Sequence, residues 1–182
     1  MVADSVAADI RVDASSRAAI DERFRSLLDA NGPALARLAA SYTRSPTDRD
    51  DLLQDIAMAV WQALPKFRGE CSERTFLFRI AHNRCLAQVS RRRSTVAIED
   101  EPIDLEDPSP NAERQLSQEQ QVERLHQAVR RLPLIYREVI TLTLEGLPYK
   151  DIAQVLGIGE SNVGVRLNRA RQMLRTLIED RP

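Results

Sequence analysis

The chain is predicted to be all-α: two small helical domains joined by an acidic flexible linker, the C-terminal one a helix-turn-helix. Three observations carry that expectation. Apolar residues recur at helical spacing over nearly the whole length, with no strand-like alternation between hairpin turns. Residues 94–120 are rich in acids and broken by prolines. Near the C-terminus, a short amphipathic helix, a glycine and a basic amphipathic helix follow one another.

Residues 1–17 mix small, acidic and basic side chains without an apolar core, so they are expected to be disordered and are no signal peptide. The first domain then covers 18–93. Ile20 to Asp29 is one amphipathic helix around Phe24, Leu27 and Leu28, and Pro33 is expected to start a second through Leu35, Leu38, Ala39 and Tyr42. Thr47 followed by Asp50 resembles a capping box. The helix it opens holds Leu52, Leu53, Ile56, Val60, Trp61 and Leu64, and Pro65 ends it. After a loop at 66–71, Ser72 can cap a helix through Phe76, Leu77, Ile80, Ala81 and Leu86, ending in Arg91, Arg92 and Arg93.

Between Ser94 and Glu119 eight acids face the single base Arg114, and Pro102, Pro108 and Pro110 interrupt any helix. Such a stretch cannot bury a core, so 94–120 reads as a linker whose tail turns helical. Just before it, from Lys66 to Arg93, eight bases face only Glu70 and Glu73. The formal net charge of −1 therefore hides a basic domain and an acidic tether.

The second domain covers 121–180. Val122, Leu125, Val129 and Leu132 mark its first helix. A second begins at Pro133, holds Ile135, Val139, Ile140 and Leu144, and is closed by Gly146. Then comes YKDIAQVLGIGESNVGVRLNRARQMLR. Ile152, Ala153 and Leu156 share a helix face, and Gly157 can take the positive φ that ends the helix. The next helix starts at Ser161 or just before, with Val163, Leu167, Ala170 and Leu174 on one stripe. Arg166, Arg169, Arg171 and Arg175 stand off that stripe, and no acid lies between Ser161 and Arg175. This is helix-turn-helix grammar with a phosphate-facing charge. A helical hairpin with a solvated basic face would share the spacing.

Composition narrows the alternatives. With 43% hydrophobic and 29% charged residues the chain is globular, and no run approaches the length of a membrane span, so no stable membrane insertion and a cytoplasmic location are expected. Aromatic residues are 4% of the chain, which argues against stacking platforms as the main device. Cys71 and Cys85 lack CxxC or histidine neighbours, so reduced thiols are expected rather than a metal site, and His82 and His126 read as structural. No cofactor is expected, and no set of clustered carboxylates or activated nucleophile suggests an enzyme.

Taken in order, DRDDLLQDIAMAVWQALPKFRGE, RTFLFRIAHNRCLAQVSRRR, the acidic linker, and LPLIYREVITLTLEGLPYKDIAQVLGIGESNVGVRLNRARQML resemble bacterial sigma factors of the extracytoplasmic-function (ECF) group, over residues 20–178. The resemblance implies a non-enzymatic subunit that binds core RNA polymerase, directs it to promoter DNA, helps open the duplex and has an anti-sigma partner. It places polymerase docking on Asp50, Asp51, an exposed Leu52, Gln54 and Asp55, an acid-rich first turn suited to a basic partner. It places the minus-ten element on the loop and helix of Arg68, Gly69, Ser72, Arg74, Arg79, Asn83 and Arg84. There arginines can hold a strand backbone and Asn can reach an unstacked base. Phe76, where many relatives have Trp, is expected in the core.

The minus-thirty-five element falls to Ser161, Asn162, Gly164, Val165, Arg166, Asn168, Arg169 and Arg171. At Gly164 and Val165 many relatives carry Lys or Arg and then Ser, so two frequent contacts lose their polar groups here. Arg166 and Arg175 suit phosphate or intradomain partners better than bases. The resemblance also implies that the linker threads toward the polymerase active centre, though a solvated spacer fits its composition equally well. The rival to this whole reading is a stand-alone helix-turn-helix regulator, which usually dimerises on two half-sites.

Overall fold

The computed structural model describes residues 2–96 and 118–179, with side chains over 17–92 and 121–178. All regular elements among them are helical: α1 (Val2–Ala40), α2 (Pro46–Ala63), a 3-10 turn (Leu64–Lys66), α3 (Glu73–Val96), α4 (Gln118–Arg131), α5 (Leu134–Leu144), α6 (Tyr149–Leu156) and α7 (Glu160–Glu179). Most of the expected acidic linker lies outside the described residues; its two ends belong to α3 and α4.

α1 departs twice from expectation. It starts at Val2, where 1–17 was expected to be disordered, and it runs unbroken through Pro33. The early segment is alanine-rich, the composition that costs least in a helix. Pro33 removes the bond that residue 33 would give residue 29 and costs about 3 kcal/mol in a helix interior. Packing outweighs it, because Leu27, Asn31, Ala34, Leu35, Leu38 and Ala39 form one buried stripe on both sides of the exposed proline. Asn31 spends its amide on the Leu27 carbonyl, at 2.9 Å.

α2 begins two residues earlier than the expected Thr47 cap. The Ser45 hydroxyl accepts from the Asp48 amide at 3.1 Å, and Pro46 occupies the first helical position. A residue before proline is driven to extended backbone, which is the cap conformation, so Ser45-Pro46 outcompetes Thr47. Ser72 caps α3 as expected, accepting from the Thr75 amide at 3.0 Å. At Gly157 φ is 66° and ψ 34°, and the Ile158 amide reaches back to the Ala153 carbonyl at 3.1 Å.

The two helical modules share a continuous apolar core. Phe76, Leu77 and Phe78 are buried, and with Thr75 they make four successive buried residues at the start of α3. Four residues span about 300° of a helix, so no single layer can cover them. α1 and α2 pack on one side and α6 of the second module on the other. Phe76 is indeed core, with its ring 4.5 Å from that of Phe67.

Candidate nucleic-acid interface

α7 turns Val163, Leu167 and Ala170 fully inward. Ser161, Asn162, Asn168, Arg169 and Arg171 are exposed, as is Arg175. The arginine face thus points to solvent, which a DNA-reading helix requires. Arg166 is only half exposed, and its charge opposes the upward shift that burial gives the Glu138 carboxyl. It is tied to its own module. Val165 is exposed, and a Cβ placed on Gly164 would meet the Tyr149 ring at 3.7 Å, an ordinary contact. No packing constraint demands glycine there.

The expected minus-ten residues do not form one surface. Arg68 and Gly69 lie exposed in the loop before α3, with Gly69 at φ 81°. The Ser72 hydroxyl is engaged as a helix cap and also meets Thr75 Oγ1 at 2.6 Å. Arg79 and Asn83 are exposed one turn apart, and Arg84 beside them is exposed too. Arg74 stands about 140° round the helix from Arg79 and about 180° from Asn83. It faces the second module, where its Nη2 donates to the Glu145 carbonyl at 2.5 Å and its guanidinium lies 5.4 Å from the centre of the Phe78 ring.

On α2, Asp50, Asp51 and Gln54 are exposed, and Asp55 pairs with Arg91 at 3.0 Å. Leu52 corrects the expectation of an exposed leucine: it is 1% accessible and belongs to the core. Its neighbours at helical spacing, Ile56 and Val60, are buried with it, so the apolar stripe claims it. Arg92 pairs with Asp48. Burial alone would raise the Asp48 pKa, but hydrogen bonding to Ser45 and the Arg92 charge hold it below the ordinary carboxylate value. Beyond the acids the same exposed face continues through Met58 and Trp61, seven residues on from Asp51 and Gln54. Trp61 meets Phe24 edge-on at 5.1 Å, and with Ala57 and Gln62 they line a shallow groove of about 220 Å³. Heptad spacing was the signal that could have joined these two residues to the acids.

A polar seam closes the modules on each other. Arg37 reaches Glu145 through two bonds, Nε to Oε1 at 3.0 Å and Nη2 to Oε2 at 2.6 Å. That contact is the main cause of the raised Arg37 pKa. Arg130 donates to the Ala40 carbonyl at 2.9 Å, and Ser41 Oγ meets His126 Nδ1 at 3.2 Å. Burial lowers the pKa of His126 and pushes that of His82 down to about 4, so His82 is neutral at pH 7. Both histidines are structural groups of the seam.

Two family profiles match the chain in order: "Sigma-70 region 2" over residues 27–95 and "Sigma-70, region 4" over 122–174. The chain belongs to the sigma-70 family. It is an RNA polymerase sigma factor of the ECF group, a transcription initiation factor that binds DNA. RNA polymerase sigma factor NccH of Alcaligenes xylosoxydans xylosoxydans is 34% identical over 86% of this chain and 87% of its own. The sigma factor CnrH of Cupriavidus metallidurans is 33% identical over 93% and 94%, and the ECF sigma factor SigM of Mycobacterium tuberculosis 31% over 91% and 80%. Among solved structures, CnrH in complex with the cytosolic domain of CnrY aligns with a TM-score of 0.67 and 29% identity, over 89% of this chain and 91% of that one. The sigma factor RpoE in complex with the anti-sigma factor NepR, from Bartonella quintana, aligns at 0.72 and 26%, over 87% and 98%. A stand-alone regulator would match through the second module alone; here both sigma regions match in family order.

Proposed function

We propose that this sigma factor divides its work among three exposed helix faces. The acid-to-apolar face of α2, Asp50, Asp51, Gln54, Met58 and Trp61, docks on core RNA polymerase. Arg79, Asn83 and Arg84 of α3, with Arg68 and Gly69 of the preceding loop, take the opened minus-ten strand. Ser161, Asn162, Asn168, Arg169 and Arg171 of α7 read the minus-thirty-five duplex. Leu52, Ser72 and Arg166 serve the fold instead. The observation that carries this reading is the outward arginine face of α7 above a fully buried stripe. Charge of that kind sets affinity, and the Asn and Arg side chains can reach base edges.

The work belongs in the cytoplasm, and among the described residues no helix is long and apolar enough to cross a membrane. An anti-sigma factor is the second partner we propose. Support comes from the RpoE chain, solved with its anti-sigma factor, whose backbone matches across both modules. Reconstitution tests the whole scheme: the purified chain is added to core polymerase on a genomic fragment library. Defined start sites should appear only when both are present. Tight duplex binding by the chain alone, with no association with core, would overturn the assignment.

A further inference from the structure

We infer that Arg23 of α1 is a positioning residue that straps the loop before α3 by both its ends and so fixes where Arg68 and Gly69 meet the opened strand. It rests on the proposal above that this loop takes that strand. Phe67 closes the 3-10 turn and Glu73 opens α3, with residues 68–72 between them. Among the described residues, no backbone hydrogen bond involves 68–71. A loop without bonds of its own takes its place from whatever holds its ends.

Arg23 holds both. Its Nε donates to Glu73 Oε1 at 2.7 Å, and its Nη2 meets the same oxygen at 2.6 Å. Its guanidinium also lies over the Phe67 ring, 5.3 Å from the ring centre. A planar guanidinium can donate from its edge while its face lies on an aromatic ring. The anchor itself is firm, because Phe24 beside it meets Trp61 edge-on and Leu27, one turn on, is buried. Stability is not what the strap supplies: the two charged side chains are 41% and 45% exposed, and a pair in that setting adds little to folding. Position is what it supplies. Arg68 and Gly69 follow Phe67 directly, and groups already in place bind a strand without the cost of ordering them at that moment.

Two measurements on the full chain test it. Cys71 lies half-buried within the loop and Cys85, the other cysteine, is fully buried, so alkylation by iodoacetamide reports the loop. Arg23→Ala and Glu73→Ala should each raise the Cys71 rate by about twofold or more, with Cys85 still protected and the circular dichroism melt retained. The two changes alter local charge in opposite senses, so a rise in both reports movement of the loop. The second measurement adds core polymerase and a fragment that reconstitution shows to be transcribed. Each variant should keep core association and closed-complex affinity and lose about fivefold in permanganate-detected opening, the size of one modest base contact. The double variant should lose no more than either single one, since both break the same contact. An unchanged Cys71 rate in either variant would overturn the strap, as would additive losses or a fall in core association equal to the fall in opening. So would opening that stays at the parental level while Arg68→Ala lowers it. Failure of the loop reading shows elsewhere: Arg68→Ala would then leave opening untouched.

Discussion

The Nε2 of His82 lies 3.8 Å from Oε1 of Glu138, with His82 buried and Glu138 nearly so, joining α3 to α5. With the His82 pKa held near 4 by burial, this is no ion pair at neutral pH. The folded-state pKa lies below the unfolded value of 6.5, so the folded chain resists protonation. Stability from this site is full above about pH 6.5 and is lost as pH falls toward 4. The expected loss is about 3 kcal/mol, offset in part because Glu138, raised by burial, gains stability on protonation. Thermal melts between pH 8 and 4.5 check it: His82→Gln should flatten the acid limb, and Glu138→Gln should steepen it.

Arg169→Ala is expected to cut promoter-directed transcription by roughly tenfold or more, since one base or phosphate contact is worth about 1–3 kcal/mol. Residue 169 is exposed, so the melt should move by less than about 0.5 kcal/mol. Transcript yield and core pull-down measured together separate a reading role from a structural one. Equal loss in both would reassign it.

Asp51→Arg and Leu52→Ala are adjacent in sequence and should behave oppositely. The aspartate is exposed, so its reversal should abolish core association while leaving the melt alone. The leucine fills the core, and its truncation should cost about 2–5 kcal/mol. Size-exclusion of mixtures with core polymerase, beside denaturant titration, reads both effects.

Gly157→Ala should destabilise the second module by about 1 kcal/mol through backbone strain alone. No atom lies within 4 Å of the Cβ it would add, so packing is not at issue. Gly157→Asn should cost less, because asparagine visits the left-handed region more readily. Urea unfolding of the two variants ranks them.

The helix-turn-helix was legible because each of its signals is local: a glycine able to take a positive φ at the helix end, and a stripe of Val163, Leu167 and Ala170. The exposed acids of α2 were legible but the place of Leu52 was not, since the side chain could be assigned to either face until Ile56 and Val60 were seen buried beside it. Pro33 misled because local backbone cost speaks for a break, and only the long buried stripe of α1 overrides it. The seam was hidden for a different reason. Arg37 and Glu145 stand 108 residues apart, and each reads alone as a solvated charge. One hint was present. The run Phe76-Leu77-Phe78 is apolar on too many sides for a helix covered by one layer, and a second cover was implied without being named.

Gly164 leaves an unfilled tooth on the outward comb of α7. Because a new side chain there meets only the Tyr149 ring at an ordinary distance, a single codon change gains helix propensity and, on the proposed reading of α7, adds a base contact at once. The set of genes this factor serves can therefore drift without the fold being rebuilt.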